Sequence, residues 1–216
     1  IKVINIGNDE NGLPLPTAHW RIADASGENI VLEIINNGEI KIYDNEIGVL
    51  TNSPDYGWHL KNLNNYINLY SGNAKNYTMN NHKIFSFGAG TGALGLPGDI
   101  TPPSRFIRAF YYLNTMKSSD TAQEGIQGAF HILNNFDIPI GTEYPSEHKE
   151  NIPKNLLSAT QWTSVCNITD KEFYYKTMYN SQIRKIDLKK IDFTNIKYQV
   201  LPLDKNFEEN ILEINI

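Results

Sequence analysis

Cysteine is almost absent from these 216 residues, and the one present, Cys166, excludes an internal disulfide and any cysteine-based metal cage. A plain buried thiol is its expected state. Long apolar runs are missing too, since none approaches the roughly 18 residues that a membrane span requires. Nor is there an excess of positive charge: 19 Lys and Arg stand against 24 Asp and Glu, interspersed, for a net charge of -5. With no basic face to neutralise phosphates or anionic lipid, neither nucleic acid nor a membrane surface is an expected partner. The opening residues, IKVINIGNDENG, lack the charged-then-apolar plan of a signal peptide. Because the chain opens in mid-pattern, this leaves the leader and compartment of the complete protein unassigned.

Several catalytic signatures are also lacking. The five histidines, at 19, 59, 82, 131 and 148, form no i, i+4 pair and no HExxH, so metal catalysis is not expected. No G-x-S-x-G elbow is present, although a Ser–His–Asp triad meets only in space and sequence alone does not remove it. Gly90, Gly92 and Gly95 do match G-x-G-x-x-G. The dinucleotide fingerprint needs a helix opening inside it, however, and here Leu96, Pro97, Gly98 and Asp99 follow at once. Dinucleotide binding stays only as a rival, testable by NADH fluorescence.

What is present suffices for one sizeable core, with 40% hydrophobic residues and 11% aromatics. Residues 18–23, 30–35, 39–43 and 47–52 are β-prone runs separated by turn-type residues, which predicts a four-stranded antiparallel meander. After Pro54, apolar residues at helical intervals from Trp58 to Leu69 predict a helix. Residues 71–100 read as a loop, glycine-rich in its second half. Helices are predicted over 104–116, behind Pro102 and Pro103, and over 121–136, with Ile126, Ala129, Phe130 and Leu133 inward. Strands are predicted again over 160–168, 173–178, 183–188 and 198–201, the first placing Trp162, Ser164, Cys166 and Ile168 on one packed face. Strands, then helices, then strands indicate an α+β protein rather than a parallel doubly wound sheet.

Two stretches are not explained by composition. In GVLTNSP, residues 48–54, a strand ends in Thr51, Asn52 and Ser53, where an Asn amide either donates into a cleft or caps the next helix. In GLPGDITPPSRFIRA, residues 95–109, Arg105 enters an otherwise apolar helix start, either as an ion-pair partner of Asp99, as a surface charge, or for function.

Four segments in order, LPTAHWRIADASGENIVLE, YDNEIGVLTNSPDYGWHLKNLNNY, GAGTGALGLPGDITPPSRFIRA and ATQWTSVCNITDKEFYYKT, closely resemble the penicillin V acylase and choloylglycine (bile salt) hydrolase family. That resemblance implies the four-layer αββα sandwich of the Ntn hydrolases, of which residues 1–216 would be the C-terminal portion of a single domain. It implies hydrolysis of a linear amide by an N-terminal cysteine, with the free α-amino group as base and a thioester intermediate. No cofactor is called for. Asn52 matches the family asparagine whose amide helps form the oxyanion hole, and Arg105 the arginine close to the nucleophile. Leu13 and Leu15, in the loop from Gly7 to Thr17, match a region lining the substrate mouth.

Family members begin, after processing, with cysteine, followed by an arginine and an aspartate of the site. Here residue 1 is Ile. The nucleophile is therefore expected from an N-terminal segment absent from this sequence, and residues 1–216 alone are expected to be inactive. The implied partner is a small-molecule acyl amide: a conjugated bile salt, penicillin V or, in some members, an N-acyl homoserine lactone. The PPSRF wording is similar to penicillin V acylase-like members of Gram-negative bacteria, which favours that subclass and, with it, the periplasm over the cytoplasm. Family likeness also implies a homo-oligomer, a tetramer. A member that binds an acylated amide without cleaving it is the non-enzymatic alternative.

Overall fold

Short β-prone runs joined by tight turns build the first sheet. In a computed structural model describing residues 18–35, 38–142, 158–209 and 211–215, β1 (Ala18–Ala23), β2 (Asn29–Ile35) and β3 (Glu39–Asp44) pair antiparallel in the order β1-β2-β3. The first turn is held by the Asp24 carboxylate, which accepts the Ser26 N–H at 2.8 Å. The chain divides into two compact units, Ile1–Met116 and Lys117–Ile216.

In the first unit, alternation along β2 places Val31 and Glu33 on one face. Val31 meets Val49, Tyr56, Phe106 and Ile107 in a core whose members are at most 5% exposed. Tyr43 and Phe106 pack edge-on to the Tyr56 ring, at 5.2 and 6.1 Å. Burial pushes the Tyr56 phenol up to about 12, and its hydroxyl donates to Asn45 Oδ1 at 2.8 Å. Helix α1 (Tyr56–Asn62) starts at Asp55, whose carboxylate accepts the Trp58 N–H. Helix α2 (Pro102–Thr115) starts with proline, where a missing N–H costs nothing.

The fourth expected strand does not form. Residues 47–52 turn away from β3 at Gly48, which has φ +71°, and no ladder partner exists for them among the described residues. Val49 is nonetheless 5% exposed, so the apolar pattern there reports burial and not pairing. The helix after Pro54 is also shorter than its periodicity suggests. It tightens into a 3-10 turn at Leu63–Tyr66, where Asn64 donates to the Lys61 carbonyl and Asn65 to the Asn62 side chain. Such local bonds compete with the helical ladder, and Ile67 beyond them is 90% exposed.

The glycine-rich loop holds an unforeseen hairpin, β4 (Tyr77–Met79) with β5 (His82–Ile84). Asn80 and Asn81 both take positive φ at its tip, a conformation asparagine tolerates. The G-x-G-x-x-G glycines serve backbone packing. Gly92 donates to the Gly72 carbonyl at 2.8 Å and accepts from Tyr70 at 3.1 Å, and a Cβ there would stand 2.4 Å from the Tyr70 carbonyl oxygen. Gly92→Ala is expected to destabilise the fold by about 1–3 kcal/mol, read as a lowered urea midpoint.

In the second unit, α3 (Ala122–Leu133) opens with a capping box between Thr121 and Glu124 and packs on β6 (Trp162–Asn167). Phe130 is buried, and Ile126, Ala129 and Leu133 are partly so. β6, β7 (Glu172–Thr177) and β8 (Asn180–Asp187) form a second antiparallel sheet with β7 central. The expected packing of β6 is reversed: Thr163 is its buried residue, whereas Trp162 and Ile168 are 58% and 42% exposed and the Cys166 thiol is exposed. The period-2 pattern was readable, but not which face meets α3. Residues 198–201 form no strand, with Tyr198 92% exposed.

Candidate functional site

The two stretches that composition leaves unexplained meet in space. Asn52 closes the extended segment that leaves the core at Val49, and Arg105 stands in the first turn of α2. Arg105 Nη2 donates to Asn52 Oδ1 at 2.6 Å, across 53 residues of chain, and Arg105 Nε donates to the Ile100 carbonyl at 3.0 Å. Asn52 does not cap α1, because Asp55 does.

Each partner is mounted on buried structure. The Asn52 carbonyl accepts from His59 Nε2 at 2.9 Å, and Thr51 Oγ1 donates to the Pro102 carbonyl at 3.1 Å, tying the segment to both helices. At the start of α2 the Asp99 carboxylate accepts the Thr101 N–H at 2.9 Å and the Ser104 hydroxyl at 2.6 Å. Buried Arg108 donates through Nη1 to the carbonyls of Pro97 and Asp99, at 2.9 and 2.6 Å. The loop before α2 is thus fixed from below, and Arg105 projects from a rigid corner.

Hydrogen bonds from Ser104, then Thr101, hold the Asp99 carboxyl down to about 2, against an ordinary value of 3.8. A depressed folded-state value stabilises the fold above pH ~4 and is lost as pH falls towards ~2. Asp99→Asn is expected to remove that acid-side dependence, measurable as the thermal midpoint between pH 5 and pH 2.

With Oδ1 committed to a guanidinium, the Asn52 amide orientation is set. Its Nδ2 donor has no hydrogen-bond partner among the described residues, and the residue is exposed. Beside it opens a cleft of about 350 Å³ lined by His19, Glu33, Lys41, Asn52, Ser53 and Asp55. Glu33, 1% exposed, accepts the Tyr56 N–H at 2.8 Å and lies 3.4 Å from His19 Nδ1. Such an arrangement offers a positioned neutral donor backed by a fixed positive charge, which suits an oxygen that gains negative charge in a reaction. Among the described residues no three His, Cys, Asp or Glu side chains gather so as to hold a metal ion, and no helix is long and apolar enough to cross a membrane. Leu13 and Leu15 lie outside the described residues.

Sequence reasoning missed His59. Its signal was present: Tyr56, His59, Leu60 and Leu63 follow helical spacing, which puts the histidine on the buried face of α1.

A family model for linear amide C-N hydrolases, the choloylglycine hydrolase family, matches residues 1–209. The chain belongs to that family. A bile salt hydrolase/transferase of Clostridium perfringens is 37% identical over 198 residues, 91% of this chain and 57% of that protein. The chain therefore spans less than two thirds of the length of that relative. A penicillin V acylase of Pectobacterium atrosepticum is 25% identical over 83% of this chain and 43% of its own length. Among solved structures, a conjugated bile acid hydrolase from Clostridium perfringens bearing a cysteine-to-alanine substitution superposes with a TM-score of 0.71. It shares 34% identity and covers 91% of this chain and 57% of its own. The fold is accordingly α+β and of the Ntn-hydrolase class.

Proposed function

We propose that the complete protein hydrolyses a linear amide through a cysteine thiolate, and that residues 1–216 supply the electrostatic half of the site as the C-terminal portion of one Ntn-hydrolase domain. The nucleophile comes from a segment outside residues 1–216. The observation that carries this reading is the 2.6 Å bond from Arg105 to Asn52 Oδ1. It leaves the amide N–H₂ of Asn52 as a donor of fixed direction.

In the first step the thiolate attacks the carbonyl carbon, and the oxygen takes up the electron pair and is held by Asn52 Nδ2. Collapse breaks the C–N bond, the amine leaves with the proton taken from the thiol by the cysteine's own α-amino group, and a thioester remains. Water then adds to the thioester, releasing the carboxylic acid and regenerating the thiol. Arg105 favours thiolate over thiol because a nearby cation stabilises the charged form.

Conjugated bile salts are the favoured substrates, supported by 37% identity to a bile salt hydrolase/transferase against 25% to a penicillin V acylase. Incubating the full-length protein with glycocholate, taurocholate, penicillin V and a long-chain N-acyl homoserine lactone tests this. Free glycine or taurine is the expected product. Amine release from none of the four would sink the hydrolase assignment, and binding without cleavage would replace it with an acyl-amide binder.

A further inference from the structure

We propose that His59 is the positioning residue of the Asn52 amide, a neutral imidazole protonated on Nε2 that clamps the Asn52 main-chain carbonyl. This rests on the role given to Asn52 under the proposed function. His59 is 0% exposed, stacked on the Phe106 ring at 4.5 Å and 9°, with Trp58 edge-on at 5.4 Å. The ring cannot turn without displacing the core. Nε2 lies 2.9 Å from a carbonyl oxygen, which can only accept, so Nε2 carries the proton. Nδ1 is buried without a partner among the described residues.

A proton on Nδ1 would add an unpaired buried donor and a charge. Burial accordingly lowers the affinity of His59 for a second proton, outweighing the opposing effects of the hydrogen bond to the Asn52 carbonyl and, after it, of Glu33 on β2 and Asp55 before α1. His19 on β1 pushes the same way as burial.

A histidine spent in this position is unexpected from packing alone. The buried face of α1 also contains Tyr56, and an apolar side chain would fill the space without leaving a nitrogen unsatisfied. What the imidazole adds is a second point of attachment. Arg105 fixes the side-chain oxygen of Asn52, His59 fixes its backbone, and Nδ2 is left with one direction to donate. An oxyanion donor works only when it is held in place before charge develops.

Two variants of the full-length protein separate donor from ring. His59→Phe keeps a ring on Phe106 and removes the donor, whereas His59→Gln keeps an N–H donor and removes the ring. The phenylalanine variant is expected to lose about tenfold to a hundredfold in kcat with KM within about twofold, and the glutamine variant to retain most of kcat. Wild-type kcat in His59→Phe, or equal losses in both, would overturn the role of His59. The side-chain amide signals of Asn52 in an NMR spectrum give a readout that needs no turnover. They should shift in His59→Phe and hold in His59→Gln, and no shift in either overturns the inference even if the wild type hydrolyses nothing. Absence of wild-type turnover counts against the amidase reading alone.

Discussion

Asn52→Ala in the full-length protein is expected to lower kcat by about 10² to 10³, with little change in KM and a thermal midpoint close to that of the wild type. The rate loss follows from removing one preorganised donor to an oxygen that becomes charged only in the transition state. Small structural cost follows from the exposure of Asn52, whose side chain buries no core surface. Its backbone bond to His59 survives the substitution, so the segment stays in place. Near-normal turnover in this variant would remove Asn52 from the reaction.

Arg105→Met should lose about 10²-fold in kcat/KM, for two separable reasons. On the proposed mechanism the thiol is harder to ionise without the guanidinium, which should move the acid limb of the pH–rate profile upward by about one unit. The Asn52 amide also loses the bond that fixes its orientation. The second effect predicts non-additivity: once Asn52 is alanine, the arginine has no amide to orient, and the further loss from Arg105→Met should shrink to the part owed to charge. Strictly multiplicative losses would mean that the 2.6 Å bond has no share in catalysis. Arg105→Lys is the informative intermediate, since it retains the charge and gives up the planar fork that reaches Ile100 and Asn52 together.

Much of this was legible in the sequence where local chemistry decides. β1 to β3 follow from β-prone runs separated by turn residues, and α2 and α3 from proline and apolar spacing. Asn52 and Arg105 stood out because polar residues interrupt apolar patterns. What could not be read was which surface each element meets. Residues 47–52 are as β-prone as their neighbours, yet strand formation needs a partner, and sequence carries no direct record of one. Cys166 likewise sits in a regular alternation, and only the position of α3 decides that Thr163 faces inward. His59 was hidden for the opposite reason: its place on the buried face of α1 was evident, but its partner, a main-chain carbonyl, leaves no residue type to recognise.

That same blindness of main-chain contacts to residue identity governs the corner holding Arg105. Arg108 grips the carbonyls of Pro97 and Asp99, and Thr51 grips that of Pro102, so much of the clamp engages atoms that every amino acid possesses. The side chains at 97 and 100 are thus largely free to diverge while the backbone path, and with it the position of Arg105, is preserved. Across relatives, drift in the lettering of this loop is compatible with an unchanged site, whereas loss of Arg108 or Thr51 is a change of shape.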